Sequence, residues 1–178
     1  MSGTKKGIDF TPELFETILS TIDSTEEKAV IRKIVGLFID RGLPVKIKEY
    51  NQAVMEGTYR VLCFIKKSAE AVIINNKGMG RDGVSIQVRI EDRSTLGKLS
   101  DFNDSIRNQI LNSANCGYCS TKCGDKKYVF TYEENEYVKC HFLCNNFTFQ
   151  RFTSEDIDDF VDIIDNEILY KQNGHKRK

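Results

Sequence analysis

Between Phe38 and Val45 the hydrophobic pattern of this chain changes period, and that change sets the class of fold it can adopt. Upstream, Leu14, Phe15, Ile18, Leu19 and Ile22, then Val30, Ile34, Leu37 and Phe38, recur at the three-to-four-residue spacing of amphipathic helices. Thr11-Pro12-Glu13 opens the first helix: a threonine hydroxyl can cap it, and proline fits its first position. Ser24 with Glu27 offers a capping box for the second, which Gly42 and Pro44 close. Downstream, residues 44–50, 58–66 and 70–76 are rich in β-branched and aromatic residues and bounded by polar or glycine-bearing turns. The second and third are apolar on both faces, as central strands are. In "VSIQVRI" (84–90), Val84, Ile86, Val88 and Ile90 alternate with Ser85, Gln87 and Arg89, which predicts a strand with one face in water.

Short connections favour antiparallel pairing. A third helix is expected over 99–112, with Phe102, Ile106 and Ile110 in line. "KYVFTY" and "EYVKCHF" then form a hairpin across Glu133, Glu134 and Asn135. Thr153 and Asp156 offer a capping box for a last helix with a buried stripe of Ile157, Phe160, Val161, Ile164 and Ile168. The expected architecture is α+β: two N-terminal helices, an antiparallel sheet, then a Cys-rich knuckle, a β-hairpin and a C-terminal helix. It divides into a helical and sheet core (1–112), a knuckle, hairpin and helix unit packed on it as part of one domain (113–170), and a flexible tail (171–178).

Size and charge narrow the function. A chain of 178 residues buries a hydrophobic core without staples. Lys plus Arg and Asp plus Glu are both 26, so no overall field steers the molecule to nucleic acid or an anionic membrane. No stretch approaches the roughly 20 apolar residues of a membrane span. The first residues carry lysines without an apolar run behind them, so a cytoplasmic location is expected. In that reducing compartment clustered cysteines are metal ligands or redox groups more often than disulfide partners.

"CGYCSTKC" (116–123) holds three of the six cysteines. Cys116-x2-Cys119 is a chelating knuckle, Cys123 follows, and the hairpin carries Cys140 back toward them, with Cys144 beyond. A closed structural zinc site takes four thiolate or imidazole ligands in tetrahedral geometry. On an extended strand Cys140 and Cys144 lie roughly 13 Å apart, so one metal takes only one of them unless the chain turns. The expected ligands are Cys116, Cys119, Cys123 and Cys140, and the competing set replaces Cys123 with Cys144. His141 alternates away from Cys140 on a strand and reads as a solvent-facing residue. Zinc is the leading metal, and an iron–sulfur cluster on the same thiolates is the alternative. Cys63, within "RVLCFI", reads as an inert buried thiol.

The run C-x2-C-x3-C, then "KYVFTYEENEYVKC", then an aromatic stretch leading to "TSEDIDDF", resembles the C-terminal part of a group of uncharacterised bacterial proteins. The resemblance covers about the last third of the chain, implies no activity, and favours Cys140 over Cys144 as a ligand.

Other motifs carry less. "GMGRDG" (78–83) has the letters of a dinucleotide loop, but a strand and not a helix follows it, so it reads as a hairpin loop. With two histidines in the chain, a His-dependent triad or His-ligated catalytic zinc is hard to build. Cys116-Gly-Tyr-Cys119 has the spacing of a dithiol redox motif, but follows a helix where that motif follows a strand. Asp156, Asp158, Asp159, Asp162, Asp165 and Glu167 read as the solvated side of the last helix. The expected function is a non-catalytic cytosolic protein with structural zinc that binds a protein partner or small ligand. An enzyme using an unrecognised pocket or redox-active cysteines is the alternative. Nucleic-acid binding, by Lys46, Lys48, Arg60, Lys66 and Lys67 interleaved with Tyr50 and Tyr59, ranks third.

Overall fold

The computed structural model describes residues 8–50, 58–66, 69–77, 83–113, 127–140 and 146–174. The fold is α+β. Thr11 caps α1 (Pro12–Ser20) by accepting from the Leu14 N–H, and Ser24 caps α2 (Thr25–Asp40) by accepting from the Glu27 N–H. Helix α2 stops where Gly42 takes a positive φ of 65°. There the Leu43 N–H returns to the Phe38 carbonyl and the Gly42 N–H to that of Ile39. This is a Schellman end, which a residue without Cβ makes at little cost.

The chain then builds an antiparallel sheet from β1 (Ile8–Asp9), β2 (Val45–Tyr50), β3 (Thr58–Lys66), β4 (Ala69–Asn75), β5 (Ser85–Arg89) and β8 (Asn146–Phe149). The spatial order is β1-β2-β3-β4-β5-β8. Two rungs of side chains cross five of its strands. One runs Ile47, Val61, Ile74, Ile86, Phe149, and the other Val45, Cys63, Val72, Val88, Phe147. Apart from half-buried Val45, these residues are buried and form the sheet side of the core. Each fully buried Ile, Val or Phe contributes about 1.5–3 kcal/mol.

On the other side of the core lie α1, α2, the short α3 (Arg93–Leu96), α4 (Asp104–Leu111) and α5 (Ile157–Gln172). Phe160 of α5 is wholly buried and packs edge-to-face on Phe149 and Phe152, at 5.2 and 5.7 Å between ring centroids. The opposite sheet face carries Lys46, Lys48, Arg60 and Gln87, with Leu62 and Phe64 buried outside the main core. Lys46 Nζ lies 5.8 Å from the centre of the Phe64 ring.

Several expectations need correction. The third helix does not span 99–112. A 3-10 turn at Leu99–Asp101 comes first, Phe102 is extended, and Asn103 caps α4 by accepting from the Ile106 N–H. The 84–90 strand does not leave one face in water: Ser85 is buried under the Asn75 side chain, and Gln87 and Arg89 are half-buried. In α5 the stripe includes Ile163, while Ile157 and Val161 are only half-buried. The acidic side of α5 is not wholly solvated either, since Asp156 and Glu167 are each 1% exposed. Helix α5 also runs through Lys171 and Gln172, the first two residues of the expected tail.

Candidate metal centre

The chain reaches the cysteine region from α4, which ends at Leu111 with Asn112 as its C-cap. It leaves into a separate two-stranded sheet, β6 (Lys127–Tyr132) paired antiparallel with β7 (Asn135–Cys140). The turn between them has two residues, not three, because Tyr132 pairs directly with Asn135. Glu133 and Glu134 both take positive φ, 46° and 63°, the signature of a type I′ turn. The turn is held by Asn135 Nδ2 donating to the Glu133 carbonyl.

This register decides where the cysteines stand in the chain path. Lys127 pairs with Cys140, so the last residue of β7 lies across from the first residue of β6. Cα atoms paired in this way are about 4.5–5.5 Å apart. Cys123 precedes Lys127 by four residues, a reach of at most about 14 Å. Cys140 therefore ends the hairpin at the end where the chain enters it from residues 114–126, away from the Glu133–Glu134 turn. Cys116, Cys119, Cys123, Cys144 and His141 lie outside the described residues, and so does His175. Among the described residues no group of three or more His, Cys, Asp or Glu side chains is placed to hold a metal ion.

One face of the hairpin packs inward. Phe130 and Tyr137 stack at 5.3 Å, Phe130 and Tyr132 lie against the core, and the Arg107 guanidinium sits 5.7 Å from the Tyr132 ring centre. Arg107 also pairs with Asp104 and donates to the Phe102 carbonyl at 2.8 Å, so its contact with Tyr132 ties the hairpin to α4. The other face carries Val129 opposite Val138, exposed by 51% and 38%.

Three further polar clusters stand on the described residues. At the end of the sheet near α1, Arg60 Nε donates to Asn75 Oδ1 and Asn75 Nδ2 to Ser85 Oγ. Beside them Asn76 accepts from the Tyr59 N–H and donates to Thr21 Oγ1. These bonds satisfy buried amides, as burial demands. At the start of α5, the Asp156 carboxylate accepts from the Thr153 N–H and Asn103 Nδ2, both at 2.7 Å. Asp159 accepts from the Asn103 N–H, and burial raises its carboxyl above the ordinary range.

Sequence reasoning missed the third cluster. Glu167 Oε1 accepts from the N–H groups of Glu91 and Asp92 at 2.8 and 2.7 Å. Lys171 Nζ donates to Glu91 Oε1, and Arg89 Nε lies 3.0 Å from that oxygen as an ion pair without hydrogen-bond alignment. Burial pushes the Glu167 carboxyl up to about 7, against the two backbone donors and Lys171, which pull it down. Its four-residue spacing to Lys171 was the signal in the sequence, but an i,i+4 acid–base pair is ordinary on solvated helices.

The remaining sequence candidates fall as follows. Cys63 is wholly buried and burial pushes its thiol far up, so it is inert. Residues 76 and 77 lead from β4 into 78–82, which lie outside the described residues, and β5 follows as an antiparallel neighbour of β4. The "GMGRDG" segment thus joins two strands. Tyr59 packs against the core, while Lys46, Lys48 and Arg60 stand on the opposite face. Lys67 lies outside the described residues. Among the described residues no helix is long and apolar enough to cross a membrane. No family model matches the chain, no curated protein matches its sequence, and no solved structure matches its fold.

Proposed function

We propose that this protein is a non-catalytic cytosolic protein in which Cys116, Cys119, Cys123 and Cys140 hold one structural zinc ion. It acts by binding a protein partner or a small ligand. The observation that carries the metal reading is the pairing of Cys140 with Lys127, which ends β7 beside the strand that emerges from the knuckle. Four thiolates satisfy zinc completely and leave no open position for chemistry, which is why the reading is structural. The perturbed acid Glu167 supports this over catalysis, because at 1% exposure it has no access to a substrate. The exposed Val129–Val138 pair, on the hairpin whose open end the metal would close, supports a role in binding.

Zinc content of the purified serine variants tests the ligand set. Serine at Cys116, Cys119, Cys123 or Cys140 is expected to release zinc, and Cys144→Ser and Cys63→Ser to retain it. Loss of zinc in Cys144→Ser with retention in Cys123→Ser would establish the competing set instead.

A further inference from the structure

We propose that Glu167 is a proton-operated clamp: as a neutral acid it holds α5 to the segment joining β5 to α3, and its ionisation loosens that junction. The geometry points to it through the inequality of the two carboxyl oxygens. Oε1 takes two backbone N–H donors, as a carbonyl oxygen with two lone pairs can. Oε2 is buried and has no partner among the described residues. A carboxylate spreads its charge over both oxygens, so ionisation puts negative charge on a buried atom to which no described group donates. A protonated Oε2 is an uncharged hydroxyl, whose burial costs far less. One oxygen with two hydrogen bonds and one buried oxygen with none is an arrangement that a neutral acid tolerates better than a carboxylate.

The charges around it divide: Asp92 opposes the ionised form and Lys171 favours it, and burial outweighs both. The joining segment and the end of β5 present Arg89, Glu91 and Asp92, and α5 itself presents Lys171. Lys171 and Arg89 are both directed at Glu91, and Asp92 caps α3 by accepting from the Ser94 N–H. From α2, Arg41 reaches α5 but is taken up by Asp165 at 2.7 Å. Strand β3 presents Val61, Cys63 and Ile65 to the helices, of which only the inert Cys63 thiol is titratable. Ionisation of Glu167 adds a buried anion beside Glu91 and Asp92.

The sign of the linkage follows. Burial is the largest influence on Glu167 and raises its folded-state value to about 7 from an ordinary 4.5. The clamp's contribution is thus complete below the ordinary value and is lost as pH rises through neutrality. From those two values, the protection of the Glu91 and Asp92 amides against hydrogen exchange should fall about tenfold between pH 6 and pH 8, after correction for intrinsic exchange. Glu167→Gln keeps an acceptor for both amides but cannot ionise, and its protection should not change over that range. A flat wild-type profile, or an equal fall in Glu167→Gln, would overturn the proposal. The carbon-13 shift of the wild-type Glu167 carboxyl needs no variant. A midpoint near neutrality supports the clamp, and a midpoint in the ordinary carboxylate range refutes it.

Discussion

Replacing Glu134 by glycine should stabilise this protein, although it removes a side chain from a solvent-exposed turn. Glu133 and Glu134 form the two-residue connection of β6 and β7 at φ 46° and 63°. An L-residue in that region brings Cβ against the following carbonyl at a cost of about 1–2 kcal/mol. Glycine removes the clash but gives back part of the gain as added freedom in the unfolded chain, about 0.5–1 kcal/mol. Among the described residues no hydrogen bond or ion pair of the Glu134 side chain offsets the change, so the net gain for Glu134→Gly is about 0.5–1 kcal/mol. Adding Glu133→Asn supplies the Asn-Gly pair that type I′ turns prefer. It forfeits the bond from Tyr132 Oη to Glu133 Oε1, at 2.9 Å and exposed, so it adds only a few tenths. At about 2–4 °C per kcal/mol for a domain of this size, the double variant should gain about 2–5 °C in Tm by calorimetry. Glu134→Ala separates strain from charge, because it removes the carboxylate and keeps Cβ. An equal gain in Glu134→Ala, or a loss in Glu134→Gly, would refute the backbone argument.

Phe160→Ala, which empties a fully buried site and removes two edge-to-face contacts, should cost about 3–5 kcal/mol in urea unfolding. Asp156→Ala should cost about 1–2 kcal/mol by the same assay, because it removes the part-buried acceptor of the Thr153 N–H and of Asn103 Nδ2, which keeps only its longer bond to the Glu155 carbonyl. Chelation of zinc should raise amide exchange in β6 and β7 while β3, β4 and β5 stay protected. Among the described residues the hairpin meets the core through half-buried Phe130 and Tyr132, whereas the sheet has two buried rungs of its own. Helix α5 should also stay protected, since Phe160, Ile163, Ile164 and Ile168 lie in the main core.

Local chemistry made much of this fold legible in the sequence. The caps at Thr11 and Ser24, the stop at Gly42, and the bounds of β3 rest on residues within a turn or a strand of one another. What was not legible depends on distant partners. Strand β8 is four residues long, and its identity comes from pairing with β5 across all the intervening chain. Helix α3 is likewise too short to carry a period. Asn103 was not read as a cap because its role is shared with Asp156 and Asp159 of a later segment. Glu167 and Lys171 look like solvated helix residues until the joining segment closes over them. For the cysteines, the hairpin was readable from two β-rich runs, and its two-residue turn fixes Cys140 opposite Lys127. The other three expected ligands lie outside the described residues, so their assignment rests on spacing and chain reach.

X-ray absorption at the zinc edge, on protein purified without oxidation, tests the central claim most directly. One zinc per chain surrounded by four sulfur atoms at about 2.3 Å, with no nitrogen or oxygen neighbour, is the predicted result. A shell with fewer than four sulfurs, or protein carrying iron in place of zinc, would contradict it.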